Sequence, residues 1–188
     1  MTVIDATAGW GKDAWLLASL GCQVLAVERS NVVSMLLRDG ILRAGVRRPT
    51  VLARVRLVIG DSRYLLRHIA ALRQAESVGR EAVTIDEPLP EDVRGFLRPD
   101  VVYLDPMFPG AKKRKSAEKN SMQVLRRLVG SDEDAGELFG WAMRAAGKRV
   151  VVKRPANGGL DFGMKPVATH RGKAFCFDVY AARTPQAE

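Results

Sequence analysis

The chain has 188 residues, a mass of 20.6 kDa and a hydrophobic content of 47%, which excludes a disordered tail and a small disulfide-stabilised protein. Thirty Lys and Arg against 21 Asp and Glu give a net charge of +9, so we expect a polyanionic partner. The two cysteines form no CxxC pair, and the first residues show no basic region followed by an apolar one, so we expect no secretory signal. Because no apolar run approaches the ~18 residues that span a bilayer, we expect a cytoplasmic protein.

Short β-branched runs alternate with amphipathic helical stretches along the first half of the chain. Gly21 is expected to cap the first helix, and Ser30 or Asn31 to begin the second. Residues 79–99 contain two prolines and an acidic centre, so we expect an irregular surface insertion there. The predicted strands are 3–5, 23–28, 55–59, 101–104, 149–152 and 174–180, and the predicted helices are 12–20, one from about 31, one through 65–72 and 131–146.

This alternation, with strands that are almost continuously apolar, indicates a mainly parallel sheet covered by helices on both faces. Ligands of such sheets bind outside the carboxyl ends of the strands. The carboxyl ends of four predicted strands each carry an acid: Asp5, Glu28, Asp61 and Asp105. We therefore expect an acidic binding site at one edge of the sheet.

The turn after the first strand fits the pattern G-x-G-x-x-A, beginning with Gly9 and Gly11. Together with Glu28 after the second strand it satisfies the dinucleotide fingerprint, so NAD and S-adenosylmethionine are both considered. A pyrophosphate requires bare helix N–H groups, whereas Asp5 and Asp13 flank this turn. The acids favour S-adenosylmethionine, which carries an ammonium and a sulfonium. A strand–helix turn without a ligand is the alternative.

An Asp-Ser pair follows the third predicted strand. Asp61 with Ser62 could accept an adenine amino group at this position of the sheet edge. The same pair is also a common helix N-cap, and one residue can serve both roles.

The segment VVYLDPMFP, residues 101–109, resembles the (Asp/Asn)-Pro-Pro-(Tyr/Phe) loop of methyltransferases that act on exocyclic base amines. Such an amine is a poor nucleophile because its lone pair is delocalised into the ring. Asp105 and the carbonyl of Pro106 are predicted to accept its N–H groups and so direct the lone pair, while Phe108 offers a stacking face. The alternative is a proline turn with a buried phenylalanine.

Basic residues crowd the stretch after this loop. Residues 101–127 contain seven Lys and Arg against two acids, a net charge of 7 − 2 = +5. A basic patch beside the predicted catalytic loop suits an RNA backbone, although basic loops are often only solvated. The predicted RNA contacts are Lys112, Lys113, Arg114 and Lys115, with Lys153 and Arg154 holding a phosphate at the end of the fifth strand.

Four segments together resemble the ribosomal RNA small subunit methyltransferase J family: DATAGWGKDAWLLASLGCQVLAVER, VVYLDPMFP, SMQVLRRLVGSDED and KRVVVKRP. The resemblance covers nearly the whole chain. It implies a class I, Rossmann-like α/β methyltransferase with a seven-strand, mainly parallel sheet whose last strand is antiparallel. It also implies methylation of the 2-amino group of a guanine in small-subunit ribosomal RNA. The cofactor contacts it implies are Lys12, Asp13, Glu28, Arg29, Asp61, Ser62 and Asp105.

We expect residues 1–188 to form one methyltransferase domain, without the N-terminal region that family members carry. The expected protein is a monomer that acts on ribosomal RNA or the small subunit, by in-line displacement without a metal. Three alternatives remain: a methyltransferase of an adenine 6-amino group, a nicotinamide-dependent oxidoreductase, and a non-catalytic RNA-binding module.

Overall fold

The computed structural model describes residues 1–79, 91–106, 134–158 and 161–182, and these contain the predicted alternation of strands and helices. The strands are β1 Thr2–Asp5, β2 Gln23–Glu28, β3 Val55–Ile59, β4 Val101–Leu104, β5 Arg149–Pro155, β6 Ala168–Arg171 and β7 Phe175–Ala181. The helices are α1 Lys12–Ser19, α2 Asn31–Arg47, α3 Pro49–Leu52, α4 Ser62–Ser77, α5 Glu91–Arg94 and α6 Ala135–Ala145. Within these ranges no helix is long and apolar enough to cross a membrane.

The strands form one seven-stranded sheet in the order β3-β2-β1-β4-β5-β7-β6. Strands β1 to β5 pair in parallel, whereas β7 runs antiparallel to both of its neighbours. This confirms the predicted seven-strand sheet with an antiparallel last strand. Strand β6 was not predicted, because its four residues are mostly exposed and so lack the apolar pattern of a buried strand.

Both faces of the parallel strands are buried, which explains why these strands are apolar at consecutive positions. Along β1, Val3 packs with α1 and α2 on one face, and Ile4 packs with α4 and α6 on the other. Neighbouring side chains point to opposite faces, so each helix pair needs its own set of strand residues. The helices thereby leave the ends of the strands open for a ligand.

Helix α1 ends as the sequence predicts. Gly21 adopts a φ of 98°, in the left-handed region that glycine favours. Its N–H donates to the carbonyl of Ala18 (3.0 Å), and the N–H of Cys22 donates to the carbonyl of Leu17 (3.1 Å). These two bonds form a Schellman cap, which turns the chain directly into β2.

The prediction of a surface insertion at residues 79–99 is wrong for the residues from 91 onward. Residues 80–90 lie outside the described residues, but α5 and the residues after it pack against the sheet. Val93 and Phe96 are buried in the same core cluster as Ile69. Their three-residue spacing places both side chains on one side of a helical turn, a signal too short to detect beside the prolines.

Candidate functional site

The carboxyl ends of β2, β1 and β4 lie side by side because these strands are neighbours in the sheet. This arrangement brings the acids that end or follow those strands to one edge: Glu28, Asp5 and Asp105. Asp61 follows β3, on the far side of β2. The predicted edge of four acids is therefore present, with Asp61 at its outer end.

The glycine turn is held in place from three directions. The N–H of Ala6 donates to the carbonyl of Tyr103 on β4 (3.0 Å), and that of Ala8 to the carbonyl of Val27 on β2 (3.1 Å). Ser62, at the start of α4, is buried and donates its hydroxyl to the carbonyl of Ala6. The sequence predicts Ser62 as a ligand contact, and the structure gives it a role in fixing the turn.

Carboxylates accept the backbone N–H groups of the turn. Glu28, only 6% exposed, accepts the N–H of Gly9 through Oε2 (2.9 Å) and that of Ser30 through Oε1 (2.8 Å). Asp5 accepts the N–H of Thr7 through Oδ1 (3.2 Å). A pyrophosphate would have to displace these acceptors and face the charge of Glu28. The turn therefore suits a cationic group better than a dinucleotide.

Both glycines of the turn adopt a backbone conformation that favours glycine. Both have positive φ, 51° at Gly9 and 69° at Gly11. A Cβ at Gly11 would lie 2.2 Å from Cδ1 of Leu37 on α2, so this glycine permits close packing of the turn against α2. Lys12, predicted as a cofactor contact, is exposed at the first position of α1.

Asp5 is almost completely buried, with 1% of its surface exposed. Burial raises the pKa of Asp5 to about 8, with smaller contributions from the nearby charges of Asp13 and Asp105, against the opposing effects of the Thr7 N–H bond and of Lys153. The folded protein therefore holds a proton on Asp5 at pH values where the unfolded chain does not.

This proton predicts a pH dependence of stability. Between about pH 4 and pH 8 Asp5 carries a proton in the folded state and not in the unfolded state, so the contribution of this residue to the free energy of unfolding falls as the pH rises. We expect Asp5→Asn to remove a slope of up to about 1.4 kcal/mol per pH unit, measured by urea denaturation at several pH values. Asp39→Asn, on the exposed face of α2, is the matched control and should leave the slope unchanged. A wild-type slope equal to that of Asp5→Asn would contradict the protonated state.

Lys153 lies between two carboxylates of the edge. Its Nζ is 2.6 Å from Oδ2 of Asp13 and 2.9 Å from Oδ2 of Asp105. Tyr103 donates its hydroxyl to the same Asp13 oxygen (2.7 Å), and the N–H of Asp105 donates to Oγ1 of Thr7 (2.6 Å). Although burial opposes its charge, the two aspartates hold the pKa of Lys153 above its ordinary value. The result is a charged cluster that joins β4, β5 and α1.

Arg154 points away from this cluster because neighbouring strand residues face opposite sides of the sheet. Its guanidinium forms a bidentate salt bridge with Asp178 on β7, with Nε–Oδ2 at 2.5 Å and Nη2–Oδ1 at 3.2 Å. Thr169 donates to the same carboxylate (2.7 Å). Lys153 and Arg154 therefore do not form the joint phosphate site that the sequence predicts.

A second ionic network lies at the outer end of the edge. The carboxylate of Asp61 caps α4 by accepting the N–H of Arg63 (2.9 Å), and it pairs with the guanidinium of that residue (2.6 Å). Hydrogen bonds from Arg63 hold the pKa of Asp61 below its usual range. Arg63 also reaches Glu137 (2.7 Å), and Arg29 pairs with Asp134 (2.9 Å). The network joins the ends of β2 and β3 to the start of α6.

Sequence reasoning missed Tyr103, Thr7 and Arg63 as members of the edge. The signal for Tyr103 was its position two residues before Asp105, which places both side chains on the same face of β4. Pro106 is buried directly after Asp105. The remaining predicted residues lie outside the described residues, namely Phe108, Lys112, Lys113, Arg114 and Lys115.

A seven-stranded Rossmann-like sheet with one antiparallel strand, an acidic carboxyl edge and a glycine turn suited to a cation define a class I methyltransferase. Residues 1–182 match the family described as "Putative SAM-dependent methyltransferase", and the chain belongs to this family. The cofactor of the family is S-adenosylmethionine. The fingerprint of the turn therefore does not indicate a nicotinamide-dependent oxidoreductase.

Individual relatives agree with this assignment. The chain is 44% identical to ribosomal RNA small subunit methyltransferase J of Laribacter hongkongensis over 185 residues, which are 97% of this chain and 57% of that protein. It is 43% identical to the protein of the same name from Aeromonas salmonicida, covering 95% of this chain and 62% of the relative. A crystal structure of a SAM-dependent methyltransferase from Neisseria gonorrhoeae is 36% identical, with a TM-score of 0.66, covering 96% of this chain and 61% of that one. The chain thus spans about three fifths of the length of these relatives.

Proposed function

We propose that this chain transfers the methyl group of S-adenosylmethionine to the exocyclic 2-amino group of a guanine in small-subunit ribosomal RNA. The observation that carries the proposal is the position of Asp105 and Pro106 at the end of β4, next to the glycine turn. Thr7 binds the backbone of Asp105, and Lys153 binds its carboxylate. The names of the relatives from Laribacter and Aeromonas support ribosomal RNA as the substrate class.

The residues of the edge fit the cofactor by their charge and their remaining acceptor sites. Each carboxylate has about four acceptor sites, and the two backbone bonds of Glu28 leave room for the two ribose hydroxyls. Asp61 would accept the adenine amino group, with Lys12 and Arg29 at the rim. Asp13 would face the ammonium and sulfonium charges, and Asp5 would join it on releasing its proton, which a bound cation favours. When bound, S-adenosylmethionine supplies an electrophilic methyl group on a positively charged sulfur.

The proposed task of Asp105 is to direct the nucleophile. Its carboxylate accepts one N–H of the guanine amine and the carbonyl of Pro106 accepts the other, so that the nitrogen lone pair points at the methyl group. Positioning of this kind can supply much of a rate acceleration without a metal or a covalent intermediate. The methylated nitrogen is acidic and loses its extra proton to the Asp105 carboxylate.

The remaining parts of the proposal concern the RNA. A guanine in a loop or an unpaired end can reach the edge, because sequence-specific recognition of RNA targets unstacked bases. Phe108 would stack on the base, and the basic residues 112–115 would contact the backbone. We propose a single chain as the working unit, since it contributes every residue named, and we propose the cytoplasm as its location, because ribosomal RNA is the proposed substrate.

The test is methyl transfer from labelled S-adenosylmethionine to small-subunit ribosomal RNA, followed by digestion and separation of the nucleosides. We expect the label in N2-methylguanosine. Label in 6-methyladenosine would instead assign an adenine methyltransferase. RNA binding without transfer would assign a non-catalytic module. Calorimetric titration with S-adenosylhomocysteine and NAD, in which only the first should bind, tests the cofactor separately.

A further inference from the structure

We propose that Lys153 is a positioning residue that fixes the cofactor subsite relative to the base subsite. It does so by binding Asp13 on one side and Asp105 on the other. The inference rests on the proposed function, because that function gives the two aspartates their separate tasks.

The geometry ties three elements to one ammonium group. Asp13 belongs to the first turn of α1, next to the glycine turn, whereas Asp105 follows β4 and Lys153 lies near the end of β5. The Nζ distances of 2.6 and 2.9 Å leave little freedom for either carboxylate. Nζ also lies 5.0 Å from the ring centre of Phe175, which covers the ammonium from the β7 side. The side chain of Lys153 is 15% exposed, so solvent weakens these contacts only partly.

A phosphate contact is the first competing role for this lysine. Lys153 and its two aspartates together carry a charge of −1. The charges of both aspartates also contribute to the raised pKa of the buried Asp5 nearby. A phosphate approaching Nζ would also approach the two carboxylates, so repulsion offsets most of the attraction. The charge of this lysine is therefore directed inward, to the acids.

A purely structural ion bridge is the second competing role. Buried ion pairs add little net stability, so a bridge that served only the fold could be replaced by apolar packing. Here the two acids come from the two subsites that must meet for transfer. Without the ammonium, Asp13 and Asp105 would repel each other and their separation would increase. A misplacement of about 1 Å can lower a rate about 100-fold.

The first experiment compares Lys153→Met with Lys148→Met. Lys148 precedes the first residue of β5 at the opposite end of the strand, and pairs with Asp100 (2.8 Å) while 70% exposed. For Lys153→Met we expect kcat on ribosomal RNA to fall at least about 100-fold, with the KM for RNA within about threefold of wild type. Lys148→Met should change neither. A raised KM with an unchanged kcat would indicate a phosphate contact and overturn the proposal, as would a lowered melting temperature with unchanged kinetics.

Lys153→Arg keeps the positive charge and changes only the geometry of the side chain. This variant also tests the positioning role if Lys153→Met fails to fold. We expect this variant to retain the KM and to show a kcat about 10-fold below wild type, above that of Lys153→Met. A kcat equal to wild type in Lys153→Arg would show that charge alone is needed, and would overturn the positioning role.

The second experiment needs no RNA activity and measures the affinity for S-adenosylhomocysteine by calorimetry. In the wild-type background, Asp105→Asn removes one of the two carboxylates that bind the Lys153 ammonium. The ammonium then binds Asp13 more strongly and competes with the ligand for it. We therefore expect an affinity for S-adenosylhomocysteine about fivefold lower. In the Lys153→Met background the same change should alter affinity less than twofold. Equal effects in both backgrounds would overturn the coupling. If wild type fails to methylate RNA, the proposed function fails, while this cycle still tests the inference.

Discussion

Replacement of Asp105 by alanine is expected to lower kcat for methyl transfer about 1,000-fold or more, equivalent to about 4 kcal/mol of transition-state stabilisation. The guanine amine then loses the acceptor that directs its lone pair, and Lys153 loses one of its two partners. Affinity for S-adenosylhomocysteine should fall by less than about 10-fold, because the glycine turn and Glu28 are unaffected. Single-turnover transfer and calorimetry measure the two quantities.

Asp105→Asn separates orientation from proton acceptance. Its amide oxygen still accepts a hydrogen bond but is not a base, so we expect a kcat within about 30-fold of wild type. Asp39→Ala, an exposed aspartate on α2, is the control for the loss of one acid and should leave kcat unchanged. Near-normal turnover in Asp105→Ala would show that another group directs the amine.

The second large effect concerns Glu28 and the cofactor. Glu28→Gln keeps the side-chain volume but replaces one carboxylate oxygen by an NH2 group, which then faces the N–H of either Gly9 or Ser30. Each charge-assisted bond contributes about 1.5–3 kcal/mol, so we expect affinity for S-adenosylhomocysteine to fall about 100-fold. The loss should exceed that of Asp105→Ala.

Glu76→Gln is the matched control for this change. Glu76 lies on α4 in an exposed ion pair with Arg98 (2.6 Å), far from the carboxyl edge, and its replacement should leave the affinity unchanged. If Glu28→Gln binds S-adenosylhomocysteine as wild type does, the ribose and turn-holding roles of Glu28 are both wrong. Circular dichroism on the same samples excludes unfolding as the cause of any loss.

Two ionic networks lie at opposite ends of the carboxyl edge. In the proposed function the Lys153 cluster joins the cofactor and base subsites, and the network of Arg63 with Asp61 and Asp134 lies at the opposite end of the edge, where the adenine is proposed to bind. Charged pairs of this kind fix direction and spacing more than they stabilise the fold. The edge thus consists of a rigid turn between two ionic braces, into which a cationic cofactor fits.

Local signals were sufficient for the order of strands and helices. The apolar runs of β1 to β5 follow from burial on both faces, and Gly21 follows from the left-handed conformation that ends α1. The acids after the strands were also visible, since parallel strands place their carboxyl ends at one edge. By contrast, β6 and the buried pair Val93 and Phe96 had no periodic pattern long enough to detect.

The sequence by itself determined the fold class, the glycine turn and the residues at the ends of the strands, because each depends on neighbours within a few positions. Only the tertiary structure decided how those residues pair. Lys153 pairs with Asp13 and Asp105, whereas Arg154 pairs with Asp178, although Lys153 and Arg154 are adjacent in the chain. The physical reason is that adjacent side chains of a strand point to opposite faces of the sheet. On each face the partner comes from a residue far away in the chain, 140 positions from Lys153 and 24 positions from Arg154.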